Sequence, residues 1–482
     1  MPEHKDRLTS VDASFLAQEK AHSHMHVGAI LIFEGPPPDY ADFLEGIESR
    51  LHLTPRYRQK LAFPRFEMGR PMWVDDPCFN LEYHVRHTAL PKPGTIDQLL
   101  SMAGRIYSQR LDRSKPLWET WLVQGLDDNR FALITKTHHS MIDGMAGVDL
   151  ASVLFDVTPV PRKVEPEPWT PQPIPSDAEL IAEGVKGAVK APLGAAQRAL
   201  EAVQSPGRTL GQVREAAEGL GEVVWAGLNP APSIPLNVPI GPHRRIDRVH
   251  AELDGLKRIK NELGGTVNDA VLTIVSGALR RWLRSRGVRT EGLELAALVP
   301  VSIRGEAEAG DLGNRIAAMR GPLPVYVDDP VERLAIVREA MDGLKDSKQA
   351  LGAEVISGLS DFAPPTILAQ ASRLNFSTRL FNLIVTNVPG PQFPLYLLGR
   401  ELHEIVPLAF LPENHAMAVA IMSYNGGIDF GLLGDYDAMP DLDFFADALR
   451  ESLAELMEAA TGASSPGRTS RPRSSDPAST AG

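Results

Sequence analysis

Apolar residues recur along the chain in two rhythms: strand-length runs, and longer stretches with helical three-to-four spacing. Residues 25–34 read as a strand closed by Gly35 and three prolines, and residues 39–51 as an amphipathic helix. A strand centred on Trp73 and a helix over 95–110 follow. Residues 120–125, the Asp127-Asp128-Asn129 turn and the apolar run beginning at Phe131 predict a hairpin. In the second half Thr266 caps a predicted helix over 267–284, and further helices are predicted over 330–348 and 441–460. Strands are predicted over 295–301, 315–323 and 381–387, and a hairpin around Gly426-Gly427 joins 416–424 to 428–433. Strands and helices interleave in both halves, so the pattern predicts a mixed α/β chain with two comparable domains.

The middle of the chain breaks both rhythms. Closely spaced prolines from Pro159 to Pro175 predict a semi-extended segment. Ser176 and Glu179 then form a capping-box pattern that opens an Ala/Gly/Val/Lys-rich helical region. The predicted layout is a first domain over 1–157, a Pro-rich, partly helical and mobile connection over 158–245, a second domain over 246–461 and a disordered tail over 462–482. The small residues and spaced lysines of the connection also permit a helix on a membrane surface.

Residues 131–150 concentrate the chemistry. An apolar strand ends in His138-His139, reaches Asp143-Gly144 and turns into a helix-like pattern. A neutral imidazole near its ordinary pKa accepts a proton from a hydroxyl at neutral pH, which makes the pair a candidate general base. Asp143 reads as a scaffold that holds the turn through a buried pair with an arginine, and Gly144 permits the tight backbone there. There is no Gly-x-Ser-x-Gly elbow and no phosphate-cradling glycine loop, so neither a serine hydrolase of that type nor ATP use is indicated. His22, His24 and His26 alternate, and on one strand face such a set can bind zinc; the plainer reading is a polar rim, and no metal is predicted.

Composition narrows the class further. The chain has 482 residues, 43% hydrophobic and 23% charged, with a formal net charge of -12. That balance argues against a nucleic-acid binder. The single cysteine, Cys78, allows no internal disulfide and fits a reducing cytoplasm. The longest apolar runs are of strand length, so neither a secretory signal nor a spanning helix is expected, and membrane contact would be peripheral.

The chain resembles the bacterial wax ester synthase/acyl-CoA:diacylglycerol acyltransferase family, within the CoA-dependent acyltransferases and peptide-synthetase condensation domains. The resemblance rests on Leu8-Thr9-Ser10-Val11-Asp12-Ala13-Ser14-Phe15, Met25-His26-Val27-Gly28, Pro116-Leu117-Trp118-Glu119, His138-His139-Ser140-Met141-Ile142-Asp143-Gly144, Thr266-Val267-Asn268-Asp269-Ala270-Val271 and Asn387-Val388-Pro389-Gly390-Pro391. It implies two chloramphenicol-acetyltransferase-like α/β sandwich domains facing each other across a central channel. It implies transfer of a fatty acyl group from acyl-CoA, as co-substrate, to diacylglycerol or a long-chain alcohol, with no permanently bound cofactor. His139 is the implied base and His138 its structural neighbour. Asn268 is a candidate to stabilise the oxyanion or position the acceptor, beside Asp269 in the helix cap. Arg304 is the expected partner of Asp143, and Pro116 and Trp118 are expected to pack beneath the site. Arg244 and Arg245 are candidates to meet CoA phosphates, within one of two basic clusters; the other surrounds Trp282. The expected location is the cytoplasm, peripheral to the inner membrane or lipid inclusions. Two alternatives are a condensation-type enzyme fed by a carrier protein and a non-catalytic lipid-binding protein of the same fold.

Overall fold

A computed structural model of the chain describes residues 7–64, 70–141, 153–176, 179, 230–302, 316–346 and 377–463. The fourteen strands described are β1 His26–Phe33, β2 Gln59–Ala62, β3 Met72–Asp75, β4 Val85–Ala89, β5 Trp118–Leu126, β6 Arg130–His138, β7 Arg244–Glu252, β8 Leu295–Ser302, β9 Ile316–Leu323, β10 Leu383–Pro389, β11 Tyr396–Leu397, β12 Arg400–Leu408, β13 Met417–Tyr424 and β14 Gly427–Asp435. The principal helices are α1 Ser10–Gln18, α2 Tyr40–Glu48, α3 Leu81–His84, α4 Ile96–Tyr107, α5 Leu253–Leu263, α6 Val267–Ser285, α7 Pro330–Asp346 and α8 Leu442–Ala463. The expected mixed α/β class with two sheet-rich units is what forms.

The first sheet runs β11-β12-β1-β6-β5-β4 and the second β7-β14-β13-β10-β8-β9. β1 and β6 pair antiparallel with His26 opposite His138 and Ile30 opposite Ile134. The free edge of β1 is taken by β12, which comes from the second half of the chain, with Gly28 opposite Leu408 and Ile30 opposite Val406. The sequence pattern did not indicate this crossover. Pro407 interrupts the apolar run of β12, and pairing partners far apart in sequence leave no local trace. The predicted second domain over 246–461 therefore lends residues 396–408 to the first sheet, and its own sheet begins at Arg244.

Several predicted local devices are present. Thr266 caps α6 in a reciprocal box with Asp269. The β13–β14 hairpin closes at Tyr424–Gly427, so the turn is Asn425-Gly426, both with positive φ, one residue before the glycine pair. Ser176 and Glu179 make their capping-box bonds, with the Ser176 N–H donating to Glu179 Oε2 at 2.7 Å. The region this box opens, and the tail from residue 464, lie outside the described residues.

The described part of the Pro-rich stretch is docked rather than a free linker. Arg50 donates to both oxygens of Asp156 at 3.0 and 2.9 Å, and Asp156 bridges to Tyr396. Trp169 stacks under the Arg58 guanidinium at 5.0 Å, and the Gln172 N–H donates to Asp75 Oδ2 at 3.0 Å.

The halves share one core. A single apolar cluster runs from Ile30, Ile134 and the inner face of α4 to Val249, Trp282 and Phe430 of the second half. α4 lies directly on β7: a Cβ at Gly104 would sit 2.8 Å from the Arg244 carbonyl oxygen. The opposite face of the first sheet carries a second cluster that includes Phe33, Phe43, Trp118 and Phe131. The sheets also meet at Gly431 of β14, where a Cβ would be 1.7 Å from the Pro407 oxygen of β12.

Candidate active site

The two histidines stand where β6 ends and a short 3-10 turn, His139–Met141, begins. Main-chain bonds fix both. The His138 N–H donates to the Leu117 carbonyl at 2.9 Å and the His139 N–H to the Met25 carbonyl at 2.7 Å. Pro116-Leu117-Trp118 thus meets the site through the Leu117 carbonyl. Leu117 is fully buried; the Trp118 indole donates to the Tyr57 carbonyl at 2.8 Å and stacks on His84 at 4.7 Å.

His138 and His139 have unlike surroundings. His138 is buried at 1% exposure. Its Nδ1 accepts from the Ser140 N–H at 3.1 Å, which puts the ring proton on Nε2. That edge faces the Glu19 carboxylate at 3.8 Å. Burial, outweighing the opposing pull of Glu19, pushes the His138 imidazole down to about 3. His139 is half-buried, with its ring flat against Phe15 at 3.9 Å and edge-on to Phe410 at 5.5 Å. Burial lowers it to about 4, and only its own main-chain carbonyl opposes this. Both rings are therefore neutral at pH 7, and His139 is the less buried residue of the two.

Glu19 was not a sequence candidate. Its carboxylate is 1% exposed and accepts from Arg110 Nε at 3.2 Å and Arg113 Nε at 2.7 Å. Burial raises its pKa, but the charge of Arg113 and the hydrogen bonds from Arg110 and Arg113 hold it below the usual carboxylate range. One local signal was available: Glu19 caps the C-terminus of α1, where the helix dipole disfavours a carboxylate, so cations from elsewhere were required. Phe15 and Phe410 were missed too, because ring contacts between distant segments leave no pattern in a single sequence.

The remaining candidates divide. Asn268 sits half-buried in the first turn of α6, and its Oδ1 accepts from Asn387 Nδ2 at 3.4 Å. Two of the motif stretches thus meet in space. Asp269 is 1% exposed and bonds the Thr266 N–H at 2.8 Å, as the capping box requires. Asp143, Gly144 and Arg304 lie outside the described residues. Arg244 is buried and offers no face to a phosphate. Its guanidinium donates to the carbonyls of Gly241 at 2.7 Å and His243 at 2.9 Å, and bonds the His22 carbonyl. Arg245 stacks on Tyr436 at 3.9 Å.

Two groups were tested as metal sites. His24 Nε2 donates to the Ala21 carbonyl at 3.0 Å and His26 Nε2 accepts from the Leu111 N–H at 3.4 Å, so one nitrogen of each ring is already engaged. His250, Glu404 and Asp429 bring ligand atoms within 4.8 Å of one another. Arg248 already pairs with Glu404, and His250 Nδ1 with Asp429 at 2.7 Å, so two bases offset two acids without an ion.

Comparison with known proteins identifies the family. Residues 8–271 match the model of the wax ester synthase/diacylglycerol acyltransferase catalytic domain, and residues 312–457 that of its C-terminal domain. The chain is 31% identical to the probable diacylglycerol O-acyltransferase tgs1 of Mycobacterium tuberculosis (strain ATCC 25618 / H37Rv), over 94% of this chain and 96% of that protein. It is 32% identical to the probable diacylglycerol O-acyltransferase tgs2 of the same strain, over 94% and 99%. The wax ester synthase/diacylglycerol acyltransferase from Marinobacter aquaeolei VT8 superposes with a TM-score of 0.67 at 27% identity, covering 94% and 99% of the two chains. The first condensation domain of the calcium-dependent antibiotic synthetase shares the fold at 16% identity, with a TM-score of 0.58 over 93% and 97%. With matches across both halves and relatives above 30% identity over nearly the full length, the chain belongs to the wax ester synthase/diacylglycerol acyltransferase family and is an acyltransferase.

Proposed function

We propose that this enzyme transfers a fatty acyl group from acyl-CoA to the free hydroxyl of diacylglycerol, giving triacylglycerol, and that long-chain alcohols are further acceptors giving wax esters. The observation that carries the reading is the neutral imidazole of His139 where a strand ends, in a chain whose curated relatives bear the name diacylglycerol O-acyltransferase.

His139 Nε2 takes the acceptor proton as the hydroxyl oxygen attacks the thioester carbonyl. The new C–O bond gives a tetrahedral oxyanion, which Asn268 stabilises or whose acceptor it positions. Collapse breaks the C–S bond, and the imidazolium returns its proton to the leaving thiolate as free CoA. A base whose conjugate acid has a pKa of about 4 releases that proton readily. No acyl-enzyme is required. His138 acts as the structural neighbour, backed by Glu19. The scaffold role expected of Asp143, Gly144 and Arg304 falls on residues outside the described ones. The two units over 1–157 and 246–461 bound the channel in which donor and acceptor meet. The acceptor is lipid, so the enzyme works at a membrane or lipid-inclusion surface by peripheral contact; among the described residues no helix is long and apolar enough to cross a membrane.

The test compares purified wild type and His139→Ala with palmitoyl-CoA and diacylglycerol, following CoA release with a thiol reagent. Removing a general base costs about 10²- to 10⁴-fold. Full activity in the variant overturns the reading. A parallel panel of diacylglycerol and hexadecanol ranks the acceptors.

A further inference from the structure

The reaction above needs His139 Nε2 aimed at one place, and among the described residues no hydrogen bond to Nδ1 fixes the ring. Its buried Nδ1 has no hydrogen-bond partner of good geometry among the described residues. Aromatic contacts surround it instead. Phe15 lies flat on one face, with centroids 3.9 Å apart and planes at 23°. Phe410 meets the ring edge-on at 5.5 Å and 89°. Phe15 and Phe410 also touch each other at 5.9 Å and 77°, so the three rings close a triangle.

The two phenylalanines come from opposite halves of the chain but are tied together. Phe15 is on α1; Phe410 follows β12 and is 6% exposed. Ser23 Oγ donates to the Leu411 carbonyl at 2.9 Å, and Lys20 pairs with Glu413. The His139 main chain is itself held by the Met25 carbonyl at 2.7 Å. The imidazole therefore turns about its ring torsion only by breaking a stacked contact and an edge contact together.

We propose that Phe15 and Phe410 are positioning residues that hold the plane of the His139 imidazole, so that the second half of the chain helps aim a base carried by the first. The proposal rests on His139 being the base. A ring that fixes orientation contributes no proton and no donor to the substrate, so its loss lowers turnover and leaves acyl-CoA affinity in place. The stacked face also keeps water from the imidazole and so helps hold it neutral.

The test uses the full-length enzyme and the variants Phe15→Leu, Phe15→Tyr, Phe410→Leu and His139→Ala, each checked for folding by circular dichroism and thermal melting. Phe15→Leu and Phe410→Leu should keep KM for palmitoyl-CoA within about twofold and lose about ten- to a hundredfold in kcat. Phe15→Tyr, which keeps the ring, should recover most of kcat. In ring-labelled protein, the histidine carbon-bound proton signal missing from His139→Ala should be shifted upfield in wild type and Phe15→Tyr. In Phe15→Leu it should return towards its ordinary position. The acid limb of the kcat profile should move to higher pH in Phe15→Leu.

Wild-type kcat in a folded Phe15→Leu enzyme overturns the proposal, as does a loss confined to KM. A Phe15→Tyr variant as impaired as Phe15→Leu overturns it too. If Phe15→Leu does not fold, Phe410→Leu decides by the same criteria. A fully active His139→Ala enzyme brings down the base assignment and this proposal together. An inactive His139→Ala beside an unimpaired Phe15→Leu brings down this proposal alone.

Discussion

The carboxylate of Glu19 faces the Nε2 edge of His138 at 3.8 Å through Oε2, the same oxygen that accepts from Arg113 Nε at 2.7 Å. The imidazole beside the proposed base is thus backed by a buried acid from α1. Replacing Glu19 by Ala removes the acceptor of Arg110 and Arg113 and the carboxylate facing His138 Nε2. Arg110 and Arg113 are partly exposed, so water takes over part of their charge. The expected cost is about 1–3 kcal/mol of unfolding free energy, measured by denaturant titration, with a fall in kcat. The pKa of Glu19 is lowered in the fold, so its stabilisation is present above the ordinary carboxylate pKa and is lost as pH falls through the folded value. Glu19→Gln should remove that part of the acid sensitivity. Unchanged stability and unchanged kcat in Glu19→Ala would show that the contact is idle.

His139 should give the enzyme an unusually low acid limb. An imidazole depressed to about 4 is neutral, and able to accept a proton, well below the ordinary histidine range. Activity measured in short assays should therefore persist down to about pH 5 wherever the protein stays folded. A limb near pH 6.5 would mean that substrate binding or solvent restores the ordinary value.

Glu404 gives the opposite sign. It is on β12 in the first sheet, facing Asp429 and Arg248 of the second, and burial outweighs Arg248 to raise it from 4.5 to about 7. A raised carboxyl pKa means that the folded state holds the proton more tightly. Its stabilising contribution is full below about 4.5 and is lost as pH rises through about 7. Wild type minus Glu404→Gln, compared by melting between pH 5 and 8, should change by about 1–3 kcal/mol over that window. A pH-independent difference would place the proton elsewhere in the network.

Gly431 marks the closest approach of the sheets. A Cβ there would meet the Pro407 oxygen at 1.7 Å, and that atom is backbone, which cannot swing aside. Gly431→Ala should cost about 1–3 kcal/mol or more and lower the melting temperature by several degrees. Gly426→Ala makes the control: nothing lies near its Cβ, and any cost comes from its φ of 90°.

What was legible in the sequence is what short-range physics fixes. Thr266 with Asp269, Ser176 with Glu179 and, to within one residue, the β13–β14 turn each bind their own neighbours, so the pattern carries them. The strand ending at His138 was equally plain, and the motif set carried the family. The supporting residues were hidden for one reason: each acts on a partner far along the chain. Glu19 reaches Arg110 and Arg113, Phe410 reaches His139, and Asn387 reaches Asn268. Arg244 shows the converse failure. A run of basic residues reads as a surface for phosphates, whereas its first arginine is buried and spent on three carbonyls.

The strand that β12 adds beside β1 also constrains how the protein is made. Synthesis delivers β1, β6, β5 and β4 early, yet the neighbour of β1 does not exist until residue 408 has left the ribosome. Until then the nascent first half presents an unpaired edge with Ile30 and Ile32 on it, a template for other chains. The first half expressed alone should therefore aggregate, and supplying the second half in trans should rescue it only if both are translated together. A cut in the middle of the finished protein should leave the halves joined by the β1–β12 pairing and the shared core, and unseparated without denaturant.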